Sequence, residues 1–115
     1  TDWGFKGTVY MDQTSILGFA AGLYIEYGSV EISNSRFKYV VNAVHVLSGN
    51  VNVSDSTFEN CRKVAIRIDS SKASVSIFDN LFASNYVAIR SAVPMRNDIK
   101  VQNVFRENGT DISLP

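Results

Sequence analysis

Aromatic and basic side chains recur at corresponding places along this chain of 115 residues, each inside a short alternating segment of apolar residues. A phenol ring can stack on a sugar ring, and a guanidinium can bind a carboxylate or sulfate through two parallel hydrogen bonds. Standing in one row, such side chains could hold an acidic polysaccharide. The alternative is that they only cover a sheet face with their long stems. The row would consist of Tyr24, His45, Arg67 and Arg90.

A second set of residues could bind a cation. Asn34, Asp55 and Asp79 occupy equivalent positions in polar turns that precede a large apolar residue. Carboxylate and amide oxygens are the ligands that Ca²⁺ prefers, so stacked turns of this kind could hold it. The structural alternative is that Asn and Asp favour turns by hydrogen bonding to their own backbone. No cofactor is required by the sequence, and Ca²⁺ is the one that it allows.

The corner that follows the alternating segment lengthens along the chain. It has four residues at Glu26–Ser29 and at Leu47–Asn50, six at Asp69–Ser74 and seven at Ala92–Asp98. Insertions in repeat proteins gather on one side, which often forms the binding face. Arg96, in the longest of these corners, is therefore predicted to contact the ligand.

Both sets of residues can be brought into line only by a repeating fold. A large apolar residue returns at intervals of 21, 21, 24 and 23 residues, and KVAIRID at 63–69 returns as YVAIRSA at 86–92. Segments of three to five residues with period two are strands, not helices. We predict one all-β domain over residues 1–115, a parallel solenoid of about five coils with 21–24 residues per coil. Counterparts would then stack about 4.8 Å apart. The large residues are Ile16, Phe37, Phe58, Phe82 and Phe105.

Three segments carry a resemblance to a known family. VEISNSRF at 30–37, VNVSDSTF at 51–58 and VSIFDNLF at 75–82, with the A-V/I-x-V/I blocks that follow, resemble parallel β-helix repeats of the pectin-lyase-like superfamily. That superfamily contains carbohydrate-binding and sugar-hydrolase modules. The resemblance covers roughly residues 8–114 and implies a right-handed, single-stranded β-helix. It also implies a structural polar ladder inside the coils, formed by Thr14, Ser35, Ser56, Asn80 and Asn103.

Stacking leads to four further expectations. Residues 1–7 could form an N-terminal cap, with Trp3 and Phe5 folded over the first coil. Lys38 and Glu59 fall in adjacent coils and are expected to pair. Ile99 and Val101 continue the alternating pairs and are expected to lie in a strand. A shelf of small residues is expected beside the row of Tyr24–Arg90, formed by Gly22, Ala43, Ala65, Ala88 and Asp111.

The composition excludes two kinds of partner. The 11 basic and 11 acidic residues give a formal net charge of +0, so no overall field attracts nucleic acid or an anionic membrane. The longest apolar runs are far shorter than a membrane span. We expect neither nucleic-acid binding nor membrane insertion.

The functional expectation follows from what the residues offer. Lyases and hydrolases of the resembled superfamily use clustered carboxylates, or calcium with an arginine or lysine base, and the sequence has no clear match to either. We expect a non-catalytic module, extracellular or at the cell surface and part of a larger protein, that binds polysaccharide or spaces other domains. One alternative is a fragment of a polysaccharide lyase or glycoside hydrolase. Another is an adhesin, surface-layer or fibre segment that self-associates through its open coil ends.

Overall fold

Short strands dominate the structure because the alternating apolar residues are interrupted every few positions by Asn, Asp, Ser and Gly. The computed structural model describes residues 3–18, 23–70, 73–92 and 98–114, of which residues 3–8, Tyr27 and Asp98 are described by their backbone alone. The strands within these ranges are β1 (Trp3–Asp12), β2 (Ser15–Leu17), β3 (Leu23–Ser33), β4 (Arg36–Lys38), β5 (Asn42–Val46), β6 (Asn50–Ser54), β7 (Thr57–Glu59), β8 (Val64–Ile68), β9 (Ser74–Phe78), β10 (Leu81–Ala83), β11 (Val87–Ser91), β12 (Val104–Arg106) and β13 (Thr110–Ser113), and the helix is α1 (Asp98–Gln102).

Two parallel sheets enclose the core. One has eight strands, in the order β13-β11-β8-β5-β3-β6-β9 with β1 also paired to β3, and the other stacks five strands in the order β12-β10-β7-β4-β2. Every ladder joins strands one repeat apart in the chain. This arrangement confirms the predicted parallel β-helix, with the five stacked strands of the second sheet enclosing about four turns.

The large apolar residues form the column that their spacing predicts. Phe37, Phe58 and Phe82 are fully buried. Successive rings from Phe37 to Phe105 stack with centroids 4.9, 5.1 and 5.2 Å apart and interplanar angles of 4°, 9° and 9°. The ring spacing is close to the distance between neighbouring strands, so the backbone ladder itself sets the stacking.

The predicted polar ladder is also confirmed. Within it, the backbone N–H of one residue donates to the side-chain oxygen of its counterpart in the next coil, as Ser56 does to Asn80 Oδ1 at 2.9 Å. The amide nitrogen of Asn80 donates in turn to the carbonyl of Val53 at 3.0 Å. Buried backbone groups at this corner therefore keep their hydrogen bonds away from water. The buried members of the ladder are Ser35, Ser56, Asn80 and Asn103.

A second ladder of this kind occupies the next corner. The backbone N–H of Cys61 donates to Asn85 Oδ1 at 2.9 Å, and that of Asn85 donates to Asn108 Oδ1 at 2.9 Å. The amide nitrogens of Asn85 and Asn108 donate to the carbonyls of Phe58 and Phe82 at 3.0 Å. Both corners that flank the phenylalanine column are thus held by side chains inside the coil.

The last repeat departs from the expected pattern. The structure has the helix α1 where the pair Ile99 and Val101 was expected to lie in a strand. Positions two apart on a helix point to nearly opposite sides, so only one of the two can reach the core. Ile99 is 7% exposed and Val101 is 85% exposed. The strand prediction for this segment is therefore wrong.

Two other expectations change at the surface of the coils. Lys38 and Glu59 are in register, but the carboxylate of Glu59 lies 3.6 Å from Arg36 instead, and Lys38 lies over the ring of Tyr39. The cap expected for residues 1–7 depends on the side chains of Trp3 and Phe5, which lie outside the described part of the chain. The backbone of β1 pairs with β3 from Trp3 onward, so it adds a rung to the sheet.

Replacing Asn80 with alanine tests the polar ladder. The change leaves the buried N–H of Ser56 and the carbonyl of Val53 without their partners, so we expect the free energy of unfolding to fall by about 2–3 kcal/mol. Urea denaturation measures it, with the exposed Asn52→Ala as the control, expected within about 0.5 kcal/mol of the wild type. Equal stability of the two variants would show that the ladder contributes nothing.

The single thiol tests the packing of the core. Cys61 is 2% exposed, and burial raises its pKa to about 12. The thiolate is the reactive form, so at pH 8 we expect almost no alkylation by iodoacetamide in the folded protein and complete alkylation in urea. Mass spectrometry distinguishes the two states. Alkylation of the folded protein at the rate of a free thiol would contradict the buried position.

Candidate functional site

Parallel pairing places the predicted row of side chains in register. Tyr24 pairs with His45, His45 with Arg67, and Arg67 with Arg90. The residues on either side of Arg67 in its strand, Ile66 and Ile68, are buried, so the alternation of the strand directs the row outward. These four residues, on β3, β5, β8 and β11, form what we call the outward row. Their alignment is confirmed, and it rests on the backbone ladder alone.

The first two residues of the outward row, Tyr24 and His45, are in aromatic contact. The rings of Tyr24 and His45 have centroids 5.0 Å apart and are tilted by 56°. This tilted arrangement is one that aromatic pairs favour. The contact gives the ring of Tyr24 a neighbour on the side of the next coil.

A carboxylate that sequence reasoning did not assign to the site lies at the centre of the row. Asp69 Oδ2 is 2.7 Å from His45 Nε2, and Arg67 Nε donates to Asp69 Oδ1 at 3.1 Å. Asp69 directly follows β8 and lies two residues beyond Arg67. Residues two apart on an extended strand share a face, and that spacing was the signal available in the sequence.

The charge of Asp69 is stabilised by its two neighbours. Partial burial acts to raise its pKa, but hydrogen bonds from His45 and Arg67 outweigh burial, and the pKa lies below its usual value. Asp69 is therefore ionised at neutral pH and offsets the charge of Arg67. The outward row is consequently less basic than its four members suggest.

Arg90 has a different environment. Among the residues that the structure describes, no carboxylate lies within ion-pair distance of its guanidinium. Arg90 lines a recess of about 220 Å³ together with Asp69 and Ser113, the counterpart of Arg90 in the next strand. Arg90 is exposed, so its guanidinium can meet an anionic group from outside.

The predicted shelf of small residues does not lie on the surface of the protein. Ala43, Ala65 and Ala88 are fully buried and belong to the apolar core, although they were expected to lie beside the outward row. Gly22, at the start of that column, lies outside the described residues. The floor beside the row must therefore come from other residues. Arg96, also predicted to contact the ligand, likewise lies outside the described ranges.

The turn residues considered for calcium share a backbone conformation. Asn34, Asp55 and Asp79 have φ angles of 50°, 52° and 58°, in the left-handed region that Asn and Asp tolerate better than most residues. The conformation accounts for these residue types without a cation. No group of three or more His, Cys, Asp or Glu residues suited to a metal occurs in the described ranges. Calcium binding at these turns stays a prediction.

One of these turns is linked to the neighbouring coil. The amide of Asn34 donates to Asp12 Oδ1 at 3.1 Å, and the hydroxyl of Ser33 donates to the same oxygen at 3.0 Å. These two hydrogen bonds lower the pKa of Asp12 below its usual value. The carboxylate of Asp12 is thus ionised and held in one orientation.

Comparisons of the chain with protein-family models, with curated proteins and with solved structures found no match. In the part of the chain that the structure describes, no helix is both long and apolar enough to cross a membrane. The function must therefore be inferred from the geometry of the surface.

Replacing Asp69 with asparagine tests the centre of the outward row. A carboxylate whose pKa is lowered on folding stabilises the protein above its unfolded pKa, and that contribution disappears as the pH falls through the folded pKa. We expect Asp69→Asn to lower the free energy of unfolding by about 1 kcal/mol at pH 7, a magnitude limited by solvent screening. The difference should shrink as the pH falls below the usual value of 3.8.

Urea denaturation at pH 7 and at pH 3 measures this difference. Asp55→Asn is the matched control, because Asn accepts the same left-handed backbone and no ion pair involves Asp55 within the described residues. A loss of stability in Asp69→Asn that grows on acidification would contradict the assigned interactions.

Proposed function

We propose that this chain is a non-catalytic β-helix module, extracellular or at the cell surface, whose outward row binds an acidic polysaccharide. The observation that carries the proposal is the alignment of a phenol ring, an imidazole and two guanidiniums on four neighbouring strands of the sheet. With about 4.8 Å between strands, the row is about 14 Å long. A linear polymer with acidic groups at regular intervals can contact several of its members at once.

The rigidity of the row supports binding. Both edges of β5 and β8 are hydrogen-bonded to neighbouring strands, so the backbone under His45 and Arg67 is fixed before a ligand arrives. The hydrogen bond to Asp69 uses Nε of Arg67, so the Nη groups can still donate to a ligand. Less ordering on binding means that more of the interaction energy appears as affinity.

The two arginines would have different tasks. Arg90 would supply the stronger attraction for a carboxylate or sulfate, because no described carboxylate lies within ion-pair distance of its guanidinium. Arg67 would act mainly as an oriented donor, since Asp69 already offsets its charge. Tyr24 would stack on a sugar ring at the other end of the row. This division follows from the ion pairs of Asp69 and from the general chemistry of guanidinium groups.

The resemblance of the repeats to the pectin-lyase-like superfamily supports a carbohydrate partner. It also keeps one enzymatic candidate, a fragment of a polysaccharide lyase or hydrolase whose remaining catalytic groups lie elsewhere. The specific observation in favour of the enzyme is the contact of 2.7 Å between His45 and Asp69. Release of unsaturated or reducing ends from an acidic polysaccharide, abolished by Arg67→Ala or Arg90→Ala, would favour the enzyme over the binding module.

Binding of oligogalacturonate by the purified protein tests the proposal. We expect the double variant Arg67→Ala/Arg90→Ala to bind at least tenfold more weakly, because one charged hydrogen-bonded contact contributes about 1.5–3 kcal/mol. Affinity for the wild type should fall as salt is added. Isothermal titration with and without Ca²⁺ measures both effects and tests the calcium prediction.

The matched control is the double variant Arg36→Ala/Arg106→Ala. It removes the same charge from β4 and β12, which belong to the other sheet. We expect its affinity to stay within about twofold of the wild type. Equal losses in the two double variants would mean that only net charge matters, and the outward row would then be solvated surface. The same conclusion would follow if the wild type bound no acidic polysaccharide.

A further inference from the structure

A different part of the eight-stranded sheet carries a second outward column. Tyr10 pairs with Glu31, Glu31 with Asn52, and Asn52 with Ser76. The residues that precede and follow Glu31 and Asn52 in their strands are buried, so both side chains point to solvent. We call these four residues the ridge. They take no part in the function proposed for the outward row.

Shallow grooves run along both sides of the ridge. One, of about 200 Å³, separates the ridge from Asp12, Ser33 and Ser54. The other, of about 320 Å³, separates it from the column Ser29, Asn50 and Ser74. Tyr10, Glu31 and Asn52 line both grooves. Anything that lies along either groove therefore contacts the same three side chains.

The ridge combines an exposed ring with free polar groups. Tyr10 is 74% exposed. Among the described residues, neither the carboxylate of Glu31 nor the amide of Asn52 has a hydrogen-bond partner in the protein. Glu31 can accept from two adjacent hydroxyl groups, and Asn52 can both donate and accept. An aromatic face beside such groups is suited to a molecule with C–H groups on one side and hydroxyls at its edge.

Charge distinguishes this face from the outward row. Among the described residues that line the two grooves, the charged ones are Asp12 and Glu31, and both are acidic. An anionic polymer would be repelled here, whereas a neutral chain rich in hydroxyl groups would find acceptors and donors about 4.8 Å apart along the ridge. Asp12 is already held by Ser33 and Asn34, so the wall of the smaller groove is ordered without a ligand.

We propose that the ridge is a binding site for a neutral polysaccharide, with Tyr10 stacking on a sugar ring and Glu31 and Asn52 binding its hydroxyl groups. The site is independent of the outward row in position and in charge. A chain that carries both would bind an acidic polymer on one part of its sheet and a neutral polymer on another.

Isothermal titration with the neutral oligosaccharides cellohexaose, xylohexaose and hexa-N-acetylchitohexaose tests the ridge. We expect at least one of them to bind, with an affinity that changes little with salt. Tyr10→Ala should weaken binding about tenfold through loss of stacking. Glu31→Gln, which removes the charge and one acceptor site but keeps the shape, should weaken it several-fold. Circular dichroism confirms that each variant is folded.

Tyr86→Ala is the matched control. Tyr86 is 71% exposed, close to Tyr10, and it lines neither groove. Its replacement should leave the affinity unchanged, and so should Arg67→Ala/Arg90→Ala, which removes only the outward row. The proposal is overturned if no neutral oligosaccharide binds at millimolar concentration, or if Tyr10→Ala and Tyr86→Ala bind equally well. The proposal is also overturned if Tyr10→Ala weakens the binding of oligogalacturonate more than that of any neutral oligosaccharide.

Discussion

Parallel stacking in register imposes one requirement on the paired strands of this chain, because each residue of a ladder lies about 4.8 Å from its counterpart in a neighbouring coil. A column is stable only if its members tolerate one another. Aromatic rings satisfy this requirement by lying face to face, as the rings from Phe37 to Phe105 do. Small polar side chains satisfy it by passing hydrogen bonds from coil to coil. The same requirement brings Tyr24, His45, Arg67 and Arg90 into one line.

The two corners beside the phenylalanine column show how the polar requirement is met. A turn that points its backbone into an apolar core would leave N–H and C=O groups unsatisfied, at a cost of about 1–3 kcal/mol each. Asn80 and Asn85 use both ends of their amides to bind such groups in neighbouring coils. Within the described residues no buried side-chain nitrogen or oxygen lacks a partner. The solenoid can therefore bury asparagine without losing stability.

The repeat made it possible to predict which residues are counterparts in neighbouring coils, but not the other contacts of each side chain. A period read from Phe37, Phe58 and Phe82 identifies which residues stack, so the columns and the outward row followed from spacing alone. The spacing does not tell which residue of the next coil a charged side chain reaches, so the partner of Glu59 was mistaken. It does not tell whether neighbouring side chains cover a small residue, so Ala65 was placed outside the core. The role of Asp69 was missed although its spacing from Arg67 was available. The ridge was missed although its members follow the same spacing of 21, 21 and 24 residues as the large apolar residues.

The inner hydrogen bonds also give the coil a direction. In both ladders the backbone N–H of an earlier coil donates to the side-chain oxygen of a later one, without reversal from Thr14 to Asn103 or from Cys61 to Asn108. One face of a coil thus offers backbone N–H and carbonyl groups at these corners, and the opposite face offers side-chain oxygens and amide nitrogens. Two copies related by a two-fold axis would oppose like groups, whereas copies translated along the axis would oppose complementary ones. Any contact between copies that extends these ladders must therefore join the last coil of one copy to the first coil of the next, in a head-to-tail arrangement.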